Sequence, residues 1–179
     1  MSKSIRTTLT ELLSTDSSRA VADLAVLAVG SDQKAFDVIM DLCFKTKYPL
    51  NMRAARVLAL CADKHPELIK KYTTKVTDLI INSTTGGVKR GIMKAVIDCI
   101  DIEEIPDSGL LVDHCFKIIL DSSEDYAHRV YAMEIVYKTC LFVPELKDEL
   151  RQTLELIDED SPPSIKARSS IILKKLRKI

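Results

Sequence analysis

The 179-residue chain predicts an all-α protein, a right-handed α-solenoid of about five antiparallel helix pairs. Three observations predict it. Apolar residues fall at three- and four-residue steps, as in Leu146, Leu150, Leu154, Ile157 or Val130, Met133, Tyr137, Cys140, and no segment sustains two-residue alternation. Pro66-Glu67-Leu68 recurs 78 residues later as Pro144-Glu145-Leu146, and the ladder Leu68, Tyr72, Val76, Leu79 recurs as Leu146, Leu150, Leu154, Ile157. Half that interval, 39, maps Tyr72, Val76, Leu79 and Ile80 onto Leu111, Cys115, Ile118 and Ile119. Self-similarity of this period is the mark of stacked helical units, each too small to bury its own apolar face.

The punctuation sets the elements in order. Thr15-Asp16-Ser17-Ser18 separates the first two helices and Gly30-Ser31-Asp32 ends their pair, giving a first repeat over 4–30. Tyr48-Pro49 splits the second, 32–64, and His65-Pro66 closes it. Thr84-Thr85-Gly86-Gly87 reads as the turn inside the third, 66–102, with Ile105-Pro106-Asp107-Ser108-Gly109 after it. Asp121-Ser122-Ser123 divides the fourth, 106–142, Val143-Pro144 opens the fifth, 144–179, and Asp160-Ser161-Pro162-Pro163 divides that one. Each break carries N-cap acceptors, a proline suited to a first helical turn, or a glycine suited to a helix end. All five pairs form a single domain, 1–179.

Composition excludes several classes. Lysine plus arginine equals aspartate plus glutamate, 26 each, so no overall field recruits nucleic acid or an acidic membrane. No run of about 18 apolar residues is present to span a bilayer. Tryptophan is absent, and five glycines and six prolines leave long uninterrupted stretches for helix. Five cysteines, an odd number without Cys-x-x-Cys spacing, and no apolar segment after Met1 read as a reduced, cytoplasmic protein.

Naming the first helix of each pair A and the second B, an arginine falls near the start of every B helix: Arg19, Arg53, Arg90, Arg129 and Arg168, spaced 34, 37, 39 and 39. Small or apolar residues follow it, as in Ala54-Ala55 and Gly91-Ile92-Met93, which lets neighbouring B helices approach closely. With Asp16 before Arg19 and Asp125 before Arg129, the chain resembles HEAT-like, armadillo-type repeat proteins, among them small bacterial ones. In those repeats an aspartate often sits in the A–B turn and an arginine opens helix B. Asn51 stands where the second repeat would carry the acid, and the third turn has none. Three of the four intervals exceed the 34 of tetratricopeptide repeats, and the aromatic positions of that motif are missing. The resemblance implies a fold and not an activity.

Candidate chemistry is sparse. The arginine series reads as ties to turn aspartates or to a neighbouring repeat's carbonyls, with a cationic rail for phosphates or acidic peptide as the other reading. Cys61 and His65, four apart, could share a helix face as a thiolate and imidazole dyad; buried core cysteine and a helix-end histidine are the plainer roles. Asp121, Glu124, Asp125 and His128 form the one compact carboxylate and histidine cluster, and helix capping accounts for it. Thr85-Gly86-Gly87-Val88-Lys89-Arg90 lacks the spacing of a phosphate loop and reads as a turn. The last hairpin is split in charge: Glu145, Asp148, Glu149, Glu155, Asp158, Glu159 and Asp160 on its first arm and exit, six cations and no acid on its final helix. A solvated terminal cap and a basic tail for an acidic partner both fit that split.

These features predict no catalytic residue, no cofactor and no metal. They predict a non-enzymatic interaction module or scaffold whose concave B-helix face, or the adjacent ridge of turns, binds a partner, expected to be a protein. The residues expected to point outward there are Arg56, Lys94, His128, Glu134 and Lys166, whose mixed signs favour protein over DNA. The alternative is a nucleic-acid-binding protein or an enzyme resembling the HEAT-like DNA glycosylases, which need a basic, aromatic cleft to hold a lesion.

Overall fold

The computed structural model describes residues 4–157 and 160–178, so Asp158 and Glu159 of the charge-split hairpin lie outside the described residues. Among those described there are eleven α-helices, two 3-10 turns and no strand, an all-helical fold of the α-solenoid class. The chain gathers into two compact units, Met1–Ile100 and Asp101–Ile179.

In the first unit the helices are α1 (Ile5–Thr15), α2 (Arg19–Val29), α3 (Gln33–Lys45), α4 (Leu50–Lys64), α5 (Pro66–Lys70), α6 (Val76–Ile81) and α7 (Gly86–Cys99). Their starts follow from local chemistry. Ser4 and Ser18 accept at 3.2 Å from the amides of Thr7 and Val21, and Asp32 accepts at 2.9 Å from Lys34, satisfying amides that have no partner inside the helix. Gly30 ends α2 with φ at 54°, a left-handed conformation that costs glycine no steric clash.

α2, α4 and α7 form one layer, with α4 packed against both neighbours, and α1, α3 and the α5–α6 segment form the other. Phe36, Ile39, Leu58, Ile69, Ile80 and Ile92, each 0 % exposed, fill the space between the layers. The small residues act as expected where α4 meets α7. A Cβ on Gly91 would stand 2.7 Å from the Ala55 carbonyl oxygen, and one on Gly87 would stand 2.7 Å from Met52 Cγ.

Two local expectations change. The single A helix expected from Pro66 is broken between Lys70 and Val76, with a 3-10 turn at Thr73–Lys75. Thr73 there donates its hydroxyl at 2.8 Å to the Lys70 carbonyl, a local bond that competes with the helical ladder, and the β-branched Thr73-Thr74 pair is a poor helix former. Gly86-Gly87, expected in a turn, instead forms the start of α7: the Thr85 carbonyl takes the amides of both Val88 and Lys89. Close contact with Met52 gives Gly87 its reason to lack a side chain.

The second unit opens with a 3-10 turn, Ile102–Glu104, followed by α8 (Ser108–Leu120), α9 (Tyr126–Thr139), α10 (Leu146–Glu155) and α11 (Pro163–Leu176). α9 packs on α8 and α11, and α10 covers the other side against α8, α9 and α11. Met133, Ile135, Val136, Leu150, Ile165 and Ile172, each 0 % exposed, make its core. The repeated ladder is buried at matching places: Val76 and Leu154, 78 apart, are 0 % and 2 % exposed.

Candidate functional site

The arginine series divides into different roles. Arg53 on α4 donates at 2.8 Å to the carbonyl of Leu13, in the last turn of α1, and three residues on Arg56 donates at 2.9 Å to the carbonyl of Ser17. Helix C-termini leave carbonyls unpaired and carry partial negative charge, so two guanidinium groups suit this end of α1. Arg129, only 5 % exposed, does the same within its own pair, its Nε 3.0 Å from the Ile119 carbonyl near the end of α8. Arg19 bonds Asp23 one turn along its own helix, at 2.9 and 3.0 Å, and Arg168 bonds Glu134. The carbonyl-tie reading therefore describes Arg53 and Arg129, while Arg19, Arg90 and Arg168 stand at the surface or half-buried. Turn aspartates are not direct partners: Asp16 accepts from the Ser18 amide and Asp125 from the Ala127 amide. Bonds from Ser18 hold the Asp16 carboxyl below the usual carboxylate range, and the field of Arg53 adds to the effect.

Of the residues expected to face a partner, Arg56 and Lys94 lie on the first unit, exposed on α4 and α7, Arg56 held to Ser17 and Lys94 to Asp98. On the second unit, Lys166 is exposed and Glu134 is half-buried. His128 is corrected. It is 1 % exposed, and its Nδ1 lies 2.6 Å from Glu124 Oε1. The helical period turns position 128 into the α9 core beside Arg129, so this histidine presents no outward surface.

The other polar constellations resolve into structure. Asp121 ends α8 and accepts from the amide and hydroxyl of Ser123 at 2.8 and 2.6 Å. Cys61 is 0 % exposed, and burial pushes its thiol up to about 12, which leaves no thiolate for a dyad; His65 turns to Glu67, at 3.4 Å. Burial likewise raises Cys43 and Cys115, and Cys140 to about 11. Among the described residues no group of three or more His, Cys, Asp and Glu is placed to hold a metal. No described helix is long and apolar enough to cross a membrane. A cleft of about 110 Å³ in the first unit, beside Thr46, Asn51, Asn82, Ser83, Thr84 and Thr85, offers hydroxyls and amides without an acid and base pair.

Two polar arrangements escaped the sequence reading. Asp37 on α3 accepts from Lys71 Nζ at 2.6 Å, Tyr72 Oη at 2.7 Å and Gln33 Nε2 at 3.0 Å, tying α3 to the following A segment. Burial raises the pKa of Asp37, but these donors outweigh it and hold the carboxyl below its usual range, while burial and the bond to Asp37 push the Tyr72 phenol up. The second is on α9 and α11. Arg168 bonds Glu134, and Lys175 Nζ lies 4.0 Å from the other oxygen of Glu134 and 4.9 Å from the centre of the Tyr137 ring. A signal existed for both, since Asp37 and Lys71, like Glu134 and Arg168, are 34 residues apart, close to the repeat interval.

Comparison with curated proteins finds no match. Among solved structures, the crystal structure of an engineered protein is similar, with a TM-score of 0.62 and 19 % identity, covering 97 % of this chain and 79 % of that one, a likeness of fold alone. The model of a HEAT repeat domain matches residues 6–176. With paired helices across both units, B helices in close small-residue contact and a family match over nearly its whole length, the chain belongs to the HEAT repeat family.

Proposed function

We propose that this protein is a non-enzymatic interaction module that binds a protein partner through exposed residues of its B helices or the turns beside them. HEAT repeats commonly serve as protein-interaction scaffolds and the family is typically non-catalytic, which supports the coarse reading. The observation that carries the finer one is the contrast between buried and exposed polar groups. The polar side chains turned inward, Arg129, His128, Thr139 and Ser169, bond groups inside the fold: Arg129 and Ser169 donate to carbonyls of the preceding helix, Thr139 to its own helix, and His128 pairs with Glu124. The exposed ones on the B helices carry charge to the surface, Lys94 in the first unit beside Asp98 and Lys166 in the second on a helix that holds no acid. Five thiols outside any disulfide fit a reducing compartment and a cytoplasmic setting.

The test is cross-linking and affinity capture from native cells with the whole chain, beside a variant carrying Lys94→Glu and Lys166→Glu. Loss of a specific partner by the variant, with its melting temperature unchanged, supports the reading. Retention of every partner would exclude these B-helix surfaces. Salt-sensitive binding of duplex DNA in place of any protein would favour the nucleic-acid alternative.

A further inference from the structure

Within the unit Asp101–Ile179, α8, α9 and α10 carry both signs of charge while α11 is wholly cationic. Acids gather on α10 and in the turns: Asp148 and Glu149 in the first turn of the helix and Glu155 at its end, Glu145 just before it, and Asp121 and Asp125 in the turn between α8 and α9. α9 holds one acid, Glu134, and α11 none, whereas α11 carries Lys166, Arg168, Lys174 and Lys175. The two helices pack on each other. Arg168 and Lys175 are seven residues apart, two turns of one helix, and both reach Glu134, which fixes the side of α11 that they occupy. Ile171 falls between them on the same stripe and is 45 % exposed, an uncovered apolar side chain with a cation one turn away on either side. Tyr137 lies beneath Lys175 and is half-buried.

We infer that this α9–α11 ridge receives an acidic segment of a partner protein, two carboxylates pairing with Arg168 and with Lys174 or Lys175 while an apolar side chain between them covers Ile171 and Tyr137. The inference rests on the interaction-module reading and names its partner class. Two helical turns place the cations about 10 Å apart, and three residues of a polyproline II segment make one full turn that spans about 9 Å and returns the side chain to the same face. An Asp or Glu at every third position therefore matches the spacing. The guanidinium of Arg168 presents five donors, more than one carboxylate uses, so Glu134 pre-orients it without exhausting it. Lys175, at 4.0 Å from Glu134, is held loosely by comparison. A nucleic-acid backbone fits less well. Glu134 interrupts the cations at the middle of the ridge, and the chain as a whole carries 26 cations against 26 acids.

The test is fluorescence anisotropy of the full chain with a labelled peptide of about a dozen residues, Glu at every third position and Leu between, beside its Gln counterpart and a single-stranded oligonucleotide of the same charge. The expected result is binding of the acidic peptide alone, weakening about tenfold from low salt to about 0.5 M. Lys174→Glu with Lys175→Gln weakens it at least about tenfold, and Glu134→Gln, which removes the competing carboxylate, tightens it about threefold. Melting curves establish that each variant is folded. Equal binding of the Gln peptide, indifference to the lysine changes, weaker binding on Glu134→Gln, or tighter binding of the oligonucleotide would each overturn the inference. If the acidic peptide fails while cross-linking still captures a partner lost on Lys94→Glu, the module reading stands and only the acidic class falls.

Discussion

Gly91 approaches Ala55 so closely that a Cβ placed on it would lie 2.7 Å from the Ala55 carbonyl oxygen and 3.1 Å from the Ala55 Cβ. This contact sets the distance between α4 and α7, and it lies on backbone that cannot rotate aside.

Gly91→Ala should therefore destabilise the protein. In an exposed helix the change gains up to about 1 kcal/mol, whereas overpacking costs about 1–3 kcal/mol, and here the obstacle is a carbonyl. Urea unfolding should show the loss. Gly109→Ala is the control: nothing lies within 4 Å of its Cβ position in α8, and it should be neutral or slightly stabilising. Equal behaviour of the two would refute the close-packing account.

Asp37→Asn should weaken the link between α3 and the α5–α6 segment. Asparagine accepts on one oxygen, whereas Asp37 accepts from Lys71, Tyr72 and Gln33 on two, so a loss on the order of 1 kcal/mol at neutral pH is expected. The folded-state pKa of Asp37 is depressed, so its contribution is complete above the unfolded value of about 3.9 and is lost as pH falls through the folded one. The stability gap between wild type and variant should therefore hold from neutral pH down to about 4 and close below it. A gap that widened on acidification would contradict the assignment.

Arg129→Ala should cost about 2–3 kcal/mol, since it removes buried packing and leaves the Ile119 carbonyl without its donor. Arg90→Ala, at the corresponding but exposed position of α7, should change stability by less than about 0.5 kcal/mol. Chemical denaturation of both separates a tie from a surface charge. Similar costs would mean that the five arginines play one role after all.

Cys43, Cys61 and Cys115 should resist a thiol reagent in the native protein and react on unfolding. They are 2 %, 0 % and 0 % exposed, and burial raises each pKa. Rapid labelling of Cys61 at neutral pH would point to a thiolate that the structure does not support.

Helix existence and repeat interval were legible because both depend on periods that the chain carries in itself. The ladder around Val76 and Leu154 was readable from spacing, and both residues are buried. The spacing of 34 to 39 between arginines reappears in the cross-repeat bonds, from Asn51 to Thr85 at 34 residues to Arg56 and Ser17 at 39. Reading failed where local and distant partners compete. The hydroxyl of Thr73 broke an A helix whose apolar pattern was intact. His128 is expected to face outward because polar residues usually do; Glu124, one turn back, bonds its ring and so favours its burial.

An all-helical chain, most of the breaks between its helices and a repeat that makes successive pairs stack are written in the sequence itself. Those follow from capping chemistry and from apolar residues every three or four positions, which act within one helix. Only the tertiary structure decided which arginine is tied to a carbonyl and which is left at the surface, and that Arg168, Lys175, Ile171 and Tyr137 share one ridge. A helical period gives the angle at which a side chain leaves its helix. What it meets there belongs to another helix some 35 residues away, and the reach of a guanidinium is settled by packing between helices.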